Sequence, residues 1–198
     1  MIRHGVLSAN KLGCALLYSK TITEVRQALK TTFDDIYEWF GQPEEVRGYK
    51  PADGGWSINE ILEHITLTTH FLMIIVRNGY PKAIKRASRQ NVEDAESDLE
   101  KIVPIGQRGS FVWIRPEHME PTATKPISEV LDLMRRQQGE CLEILETLRN
   151  GEGSLYKVRM SVNDSGRIDL YQWLYFIAQH AKRHIGQMEE NLEEARKR

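Results

Sequence analysis

The chain has 198 residues, 40% of them apolar and 28% charged, which suits one folded domain with a continuous core and excludes a disordered chain. Its 27 basic residues balance 28 acidic ones, so no general field draws it to phosphate backbones, and nucleic acid is not an expected partner. No stretch approaches the roughly 20 apolar residues that span a bilayer, so no membrane is expected either, and the chain is placed in the cytoplasm.

Residues 1–20 read as an N-terminal leader and 21–198 as one domain. Met1 to Thr23 carries Arg3, Lys11 and Lys20 but no acidic residue, a bias that an organelle presequence and a loosely docked leader share. Cys14 and Cys141 form no CxxC pair or finger spacing and are expected as free thiols. The first helix is predicted from about Thr23 to Phe40, with Ile22, Val25, Leu29, Phe33, Ile36 and Phe40 on one face and Gly41 as its stop. The second begins at "GGWSINEILEHI", where Ser57 and Glu60 have capping-box spacing, and is predicted to stop at Gly79-Tyr80-Pro81. Its stripe is Ile58, Ile61, Leu62, Ile65, Leu72, Met73 and Val76, with His64 at the edge.

Charges of both signs crowd Lys82 to Lys101, and prolines recur from Val103 to Pro126. This reads as a long connection with a short strand at "SFVWI". Long connections tend to lie beside a site or to cover it. A third helix is predicted after Ser128 as N-cap, with Val130, Leu131, Met134, Cys141, Leu142, Leu145 and Leu148 inward, ending at Asn150-Gly151. "GEGSLYKVRMSVNDSGR" then reads as a loop. The fourth helix opens with Asp169 and Gln172 in a second capping-box spacing and runs to the basic end "ARKR". Four long amphipathic helices without a sheet imply an all-α four-helix bundle with a long connection between the second and third helices.

The fourth helix contains "IAQHAKRHIGQM", in which His180 and His184 stand one turn apart on the inward stripe. A four-residue histidine spacing is by itself a weak sign, and interior histidines are often hydrogen-bonded core residues. Here both imidazoles would have to be buried and satisfied, and one ion satisfies both. His64, on the inward edge of another helix, could complete a three-histidine set with a position open for water or substrate. His4 lies in the leader, His70 is turned about 120° from His64, and His118 sits in the proline-rich connection, where it is expected to be exposed.

"WSINEILEHI", followed more than a hundred residues later by "HAKRHIGQM", resembles the DinB-like superfamily. This group of four-helix bundles includes YfiT-like metal hydrolases and bacterial thiol transferases, beside stress-induced members without known activity. The likeness covers about Thr21 to Glu194, and "PEHMEP" resembles the family's proline-rich connection. The leader and the charged segment Lys82 to Lys101 lie outside the pattern. The resemblance implies a divalent metal, zinc or nickel, held by His64, His180 and His184, and a homodimer. Tyr37 and Trp39, expected on the exposed face of the first helix, are where its interface is sought.

Two functions are compatible with these residues. In one, the ion activates water for hydrolysis or holds a thiol as thiolate for transfer, with a small molecule or thiol as partner. In the other, the ion only crosslinks two helices of a non-catalytic protein. Glu60 is the nearest carboxylate, though its capping role competes; Asn59 and Gln187 are further candidates to orient the ligands. Trp56, Trp113 and Trp173 could line a pocket, and Cys141 on an apolar stripe is not expected to react.

Overall fold

Amphipathic helices bury their stripes against one another, and the computed structural model, which describes residues 18–92, 96–110, 116–160, 162 and 165–197, has this arrangement. Helix α1 spans Ser19–Phe40, the short α2 Glu44–Gly48, α3 Ile58–Ala87, α4 Ile127–Thr147 and α5 Leu170–Arg196. α1 packs on α4 and α5, and α3 packs on the same two, so the long helices run around the bundle in the order α1, α4, α3, α5. No helix among the described residues is long and apolar enough to cross a membrane.

α1 starts at Ser19, inside the segment read as leader, because Tyr18 is buried and stacks on Tyr171 at 5.7 Å. The Tyr18 ring lies against Gly151, whose φ of +89° and lack of a Cβ allow that approach. The first-helix aromatics differ from expectation. Trp39 is buried in the core, and Tyr37 is half-buried with its hydroxyl donating to Gln138 Oε1 at 2.8 Å. Neither forms an exposed apolar face.

α3 opens with the expected capping box: the Ser57 N–H donates to Glu60 Oε2 at 2.7 Å and the Glu60 N–H to Ser57 Oγ at 3.3 Å. It does not stop at Gly79-Tyr80-Pro81 but continues to Ala87. Pro81 costs one ladder bond, and tertiary contacts outweigh it. Ala83 is buried, Arg86 Nη1 donates to the Leu155 carbonyl at 2.6 Å, and Lys82 and Arg86 lie over the Tyr156 ring. Gly79 is there for close packing, since an added Cβ would meet Tyr156 Cδ1 at 2.7 Å and Leu170 Cδ2 at 2.8 Å.

The connection between α3 and α4 carries more structure than its prolines suggest. Leu99–Gly106 forms a 3-10 helix that buries Leu99, Ile102 and Ile105 against α5, and Glu117–Met119 forms another turn. The strand expected at "SFVWI" falls on residues 110–114, of which all but Ser110 lie outside the described residues. α4 begins at Ile127 with Pro126 as N-cap, so Ser128 lies in the first turn instead of capping it. Gln137 and Ile144 join its buried face, whereas Leu131 and Leu142 are only partly covered.

The segment read as a loop before α5 holds a 3-10 turn, Glu152–Leu155, and an antiparallel pair, β1 Val158–Met160 with β2 Gly166–Ile168, in which Val158 faces Ile168. Met160 and Ile168 are buried, which anchors these short strands. α5 starts at the predicted capping box of Asp169 and Gln172. Its first nine residues, Leu170 to Ala178, are all buried, as expected of a helix wrapped by α1, α3 and the 3-10 connection.

Candidate metal centre

Cations are held by unprotonated lone pairs turned toward one point. α5 sets His180 and His184 one turn apart, with Nε2 atoms 3.3 Å and ring centroids 4.7 Å apart. α3 brings His64 from the facing helix, its ring centroid 5.2 Å from that of His180 and 4.8 Å from that of His184. One nitrogen of each imidazole lies within 4.8 Å of the others, and all three residues are buried.

Hydrogen bonds decide which nitrogen carries the proton. His64 Nδ1 lies 2.7 Å from the Met119 carbonyl oxygen, which can only accept, so Nδ1 is the protonated atom and Nε2 keeps its lone pair. His184 Nδ1 likewise faces Gln187 Oε1 at 3.0 Å. Burial first, and then the neighbouring His184 and His64, hold His180 well below the usual imidazole range, so it is neutral at pH 7. At 3.3 Å, the His184 lone pair must meet either a proton on His180 Nε2 or a cation between the rings. Two nitrogens bound at ~2.1 Å to one tetrahedral ion lie about 3.4 Å apart, and neutral imidazoles are suitable zinc and nickel donors. The residues fit such an ion.

The surroundings hold the imidazoles in place. The Trp56 ring leans on His64 at 4.6 Å, and Asn191 Nδ2 donates to the Trp56 carbonyl at 2.7 Å, which ties the segment before α3 to α5. Glu63, next to His64 in sequence, is a buried carboxylate. It accepts from the Thr122 hydroxyl at 2.8 Å, from the Thr122 and Ala123 N–H groups at 3.1 and 2.8 Å, and from Lys125 Nζ at 3.4 Å.

A cavity of about 480 Å³ opens beside the triad. Leu72, Ile75, Met160, Trp173 and Phe176 form apolar walls, Pro116 and Met119 lie over it, and Thr68, Arg183 and Gln187 add the polar lining. No carboxylate lines it among the described residues. Arg183 Nη1 donates to the Gln107 carbonyl, and its pKa is lowered by burial and by Arg108.

The residues named from sequence separate into two groups. His64, His180, His184, Gln187, Trp56 and Trp173 all line this cavity. Glu60 and Asn59 do not: the Glu60 carboxylate closes the capping box and takes Lys50 Nζ at 2.6 Å, and Asn59 Oδ1 accepts from Arg47 Nη1 at 3.0 Å. His70 and His118 are exposed and flank the Phe71 ring. Cys141 is buried 3.4 Å from Met73 Sδ, and burial pushes its thiol up to about 12. His4, Cys14 and Trp113 lie outside the described residues. Glu63, Met119 and Arg183 were not legible beforehand, because their roles depend on partners from distant segments; Thr68, one turn after His64 with its hydroxyl 3.5 Å from His64 Nε2, had a local signal in that spacing.

A family model described as the DinB superfamily matches residues 21–188, a span that holds all three histidines. The chain is also similar to the uncharacterized protein YuaE of Bacillus subtilis strain 168, with 25% identity over 154 residues, covering 76% of this chain and 85% of that one. No solved structure matches the chain significantly.

Proposed function

Since the chain belongs to the DinB superfamily, we propose that it is a divalent-metal protein, with zinc or nickel held by His64, His180 and His184, that transfers a small thiol to a second small molecule. The observation that carries this reading is the convergence of three buried imidazoles on the end of a cavity whose described lining has no carboxylate. Attack by a metal-activated water is commonly assisted by a carboxylate base, and no carboxylate is among the described wall residues. A thiol, with a pKa of about 8.5, ionises without such help.

Bound at the three imidazoles, the cation would supply a Lewis acid that favours thiolate over thiol. The chain's own residues do the rest. The Met119 carbonyl and Gln187 keep the Nδ1 protons of His64 and His184 pointed away, Arg183 adds positive charge to the lining, and the apolar walls exclude water that would compete. The thiol proton leaves to solvent, sulfur forms a bond to the electrophilic carbon, and the leaving group departs with the electron pair of the broken bond.

The test is a set of small thiols combined with 1-chloro-2,4-dinitrobenzene on zinc-loaded protein, with His180→Ala as control. Thiol-dependent release of chloride that the control lacks supports transfer. Equal turnover of 4-nitrophenyl acetate without any thiol would favour hydrolysis. A loaded protein inert in both assays would leave the ion as a crosslink between α3 and α5.

A further inference from the structure

Adjacent residues of α3 grip the same stretch of connection. His64 takes the Met119 carbonyl through Nδ1 at 2.7 Å, and Glu63 takes Thr122 and Ala123 three and four residues further on. Glu63 has a relative exposure of only 2%. A carboxylate so buried is held only by donors aimed at it, and this one has two backbone N–H groups, a hydroxyl and the Lys125 ammonium. Ala123 has a φ of +56°, a left-handed conformation uncommon for alanine, and its N–H is one of the four donors. Thr122 Oγ1 lies 2.7 Å from Thr124 Oγ1, which tightens the same turn.

Resting on the metal reading above, we propose that Glu63 is a positioning residue of the centre. It fixes the 119–125 turn so that the Met119 carbonyl stands where the His64 Nδ1–H must donate, which leaves Nε2 as the nitrogen offered to the ion. Glu63 does not touch the cavity, and its action runs through the backbone of the connection. The connection is thereby part of the site and more than a cover over it. The distant sequence "PEHMEPTATK" supplies an acceptor for one ligand and donors for the residue beside it. Partners that orient ligating histidines typically change metal affinity by roughly 10- to 100-fold when removed.

The substitution that tests this is Glu63→Gln, which keeps size and one oxygen for the Thr122 and Ala123 N–H groups but removes the charge and places an amide N–H₂ against the Thr122 hydroxyl and the Lys125 ammonium. Nitrogen-15 spectra of the metal-free protein read the His64 tautomer directly. Wild type should show His64 protonated at Nδ1, and Glu63→Gln a mixture of the two neutral tautomers. Cobalt affinity should then fall by roughly 10- to 100-fold. Thr122→Val, which removes only the hydroxyl donor, should produce a smaller change in the same direction. Arg77→Met breaks the Arg77–Glu140 pair between α3 and α4, away from the cavity, and serves as a control that loses stability without moving the tautomer. If Glu63→Gln unfolds the chain, Thr122→Val alone must shift the tautomer. A folded Glu63→Gln protein with His64 still wholly Nδ1-protonated would overturn the proposal, and so would an unfolded one with Thr122→Val unchanged. Since the tautomer is read without metal, failure of this proposal is distinct from failure of the wild-type protein to take up cobalt.

Discussion

The Nε2 atoms of His180 and His184 face each other at 3.3 Å across one turn of α5. That spacing is satisfied by a shared cation or by a single proton, and composition tells them apart. Elemental analysis of wild type should give about one ion per chain, with His64→Ala, His180→Ala and His184→Ala near zero. His70→Ala and His118→Ala should stay loaded, because both residues are exposed outside the cavity. A metal-free wild type in which each of the three single replacements costs about 1 to 3 kcal/mol would identify the cluster as core histidines.

Removal of the ion should show in thermal stability. A ligand present at a hundred times its Kd stabilises the folded state by about 2.7 kcal/mol, which for a domain of this length corresponds to about 5 to 10 °C in Tm. Calorimetry at pH 8 with and without chelator measures it. An unchanged Tm would mean that the ion contributes nothing to the fold.

Part of the acid sensitivity should come from two carboxylates that do not line the cavity. The Arg77 hydrogen bonds hold Glu140 below the usual carboxylate range, and Glu60 is also lowered, because the Lys50 and Ser57 hydrogen bonds outweigh the opposing effect of its burial. Both pKa values are depressed in the folded state, so their stabilisation is present above the unfolded value of 4.5 and is lost as pH falls through the folded one. Arg77 and Glu140 are each about one-third exposed, which limits their pair to about 0.5 to 1 kcal/mol. Arg77→Met should melt lower than wild type at pH 7 and equally at about pH 2. A difference that persists in acid would mean that lost packing, not charge, is the cause.

Two glycines in helices should respond in opposite ways to alanine. At Gly79 the new methyl meets Tyr156 and Leu170 below 3 Å, and overpacking of this kind costs about 1 to 3 kcal/mol. At Gly139 in α4 nothing lies within 4 Å, so alanine should stabilise by about 0.5 to 1 kcal/mol through helix propensity. Denaturant midpoints of the two variants decide it, and a stabilised Gly79→Ala protein would show that α3 and the 3-10 turn can separate freely.

Much of this architecture was legible because its signals are local. Both capping boxes and the stripes of α1, α3 and α5 depend on spacings of three and four residues, and so does the edge-on meeting of His180 and His184. What was not legible depends on distant partners. Pro81 reads as a stop until Tyr156 and Leu155 are placed beside it, and Ser128 reads as a cap until Pro126 is seen to take that position. Trp39 looked outward by rotation about its own helix, yet it is buried in the core. Glu60 drew notice as a carboxylate one turn from His64, while Glu63, which touches the connection, had no local mark.

The three histidines also differ in when folding can bring them together. His180 and His184 become neighbours as soon as one turn of α5 forms, an event of about a microsecond or less in a short peptide. His64 is more than a hundred residues away in sequence and joins them only when the bundle closes. A cation present while the full unfolded chain refolds would therefore meet a two-nitrogen site on α5 first, offsetting part of the cost of starting that helix. Metal bound at this stage would bias α5 to form early and leave its docking against α3 as a late step. Ion affinity retained by the unfolded chain would in turn make the stabilisation seen at equilibrium smaller than the affinity of the finished centre implies.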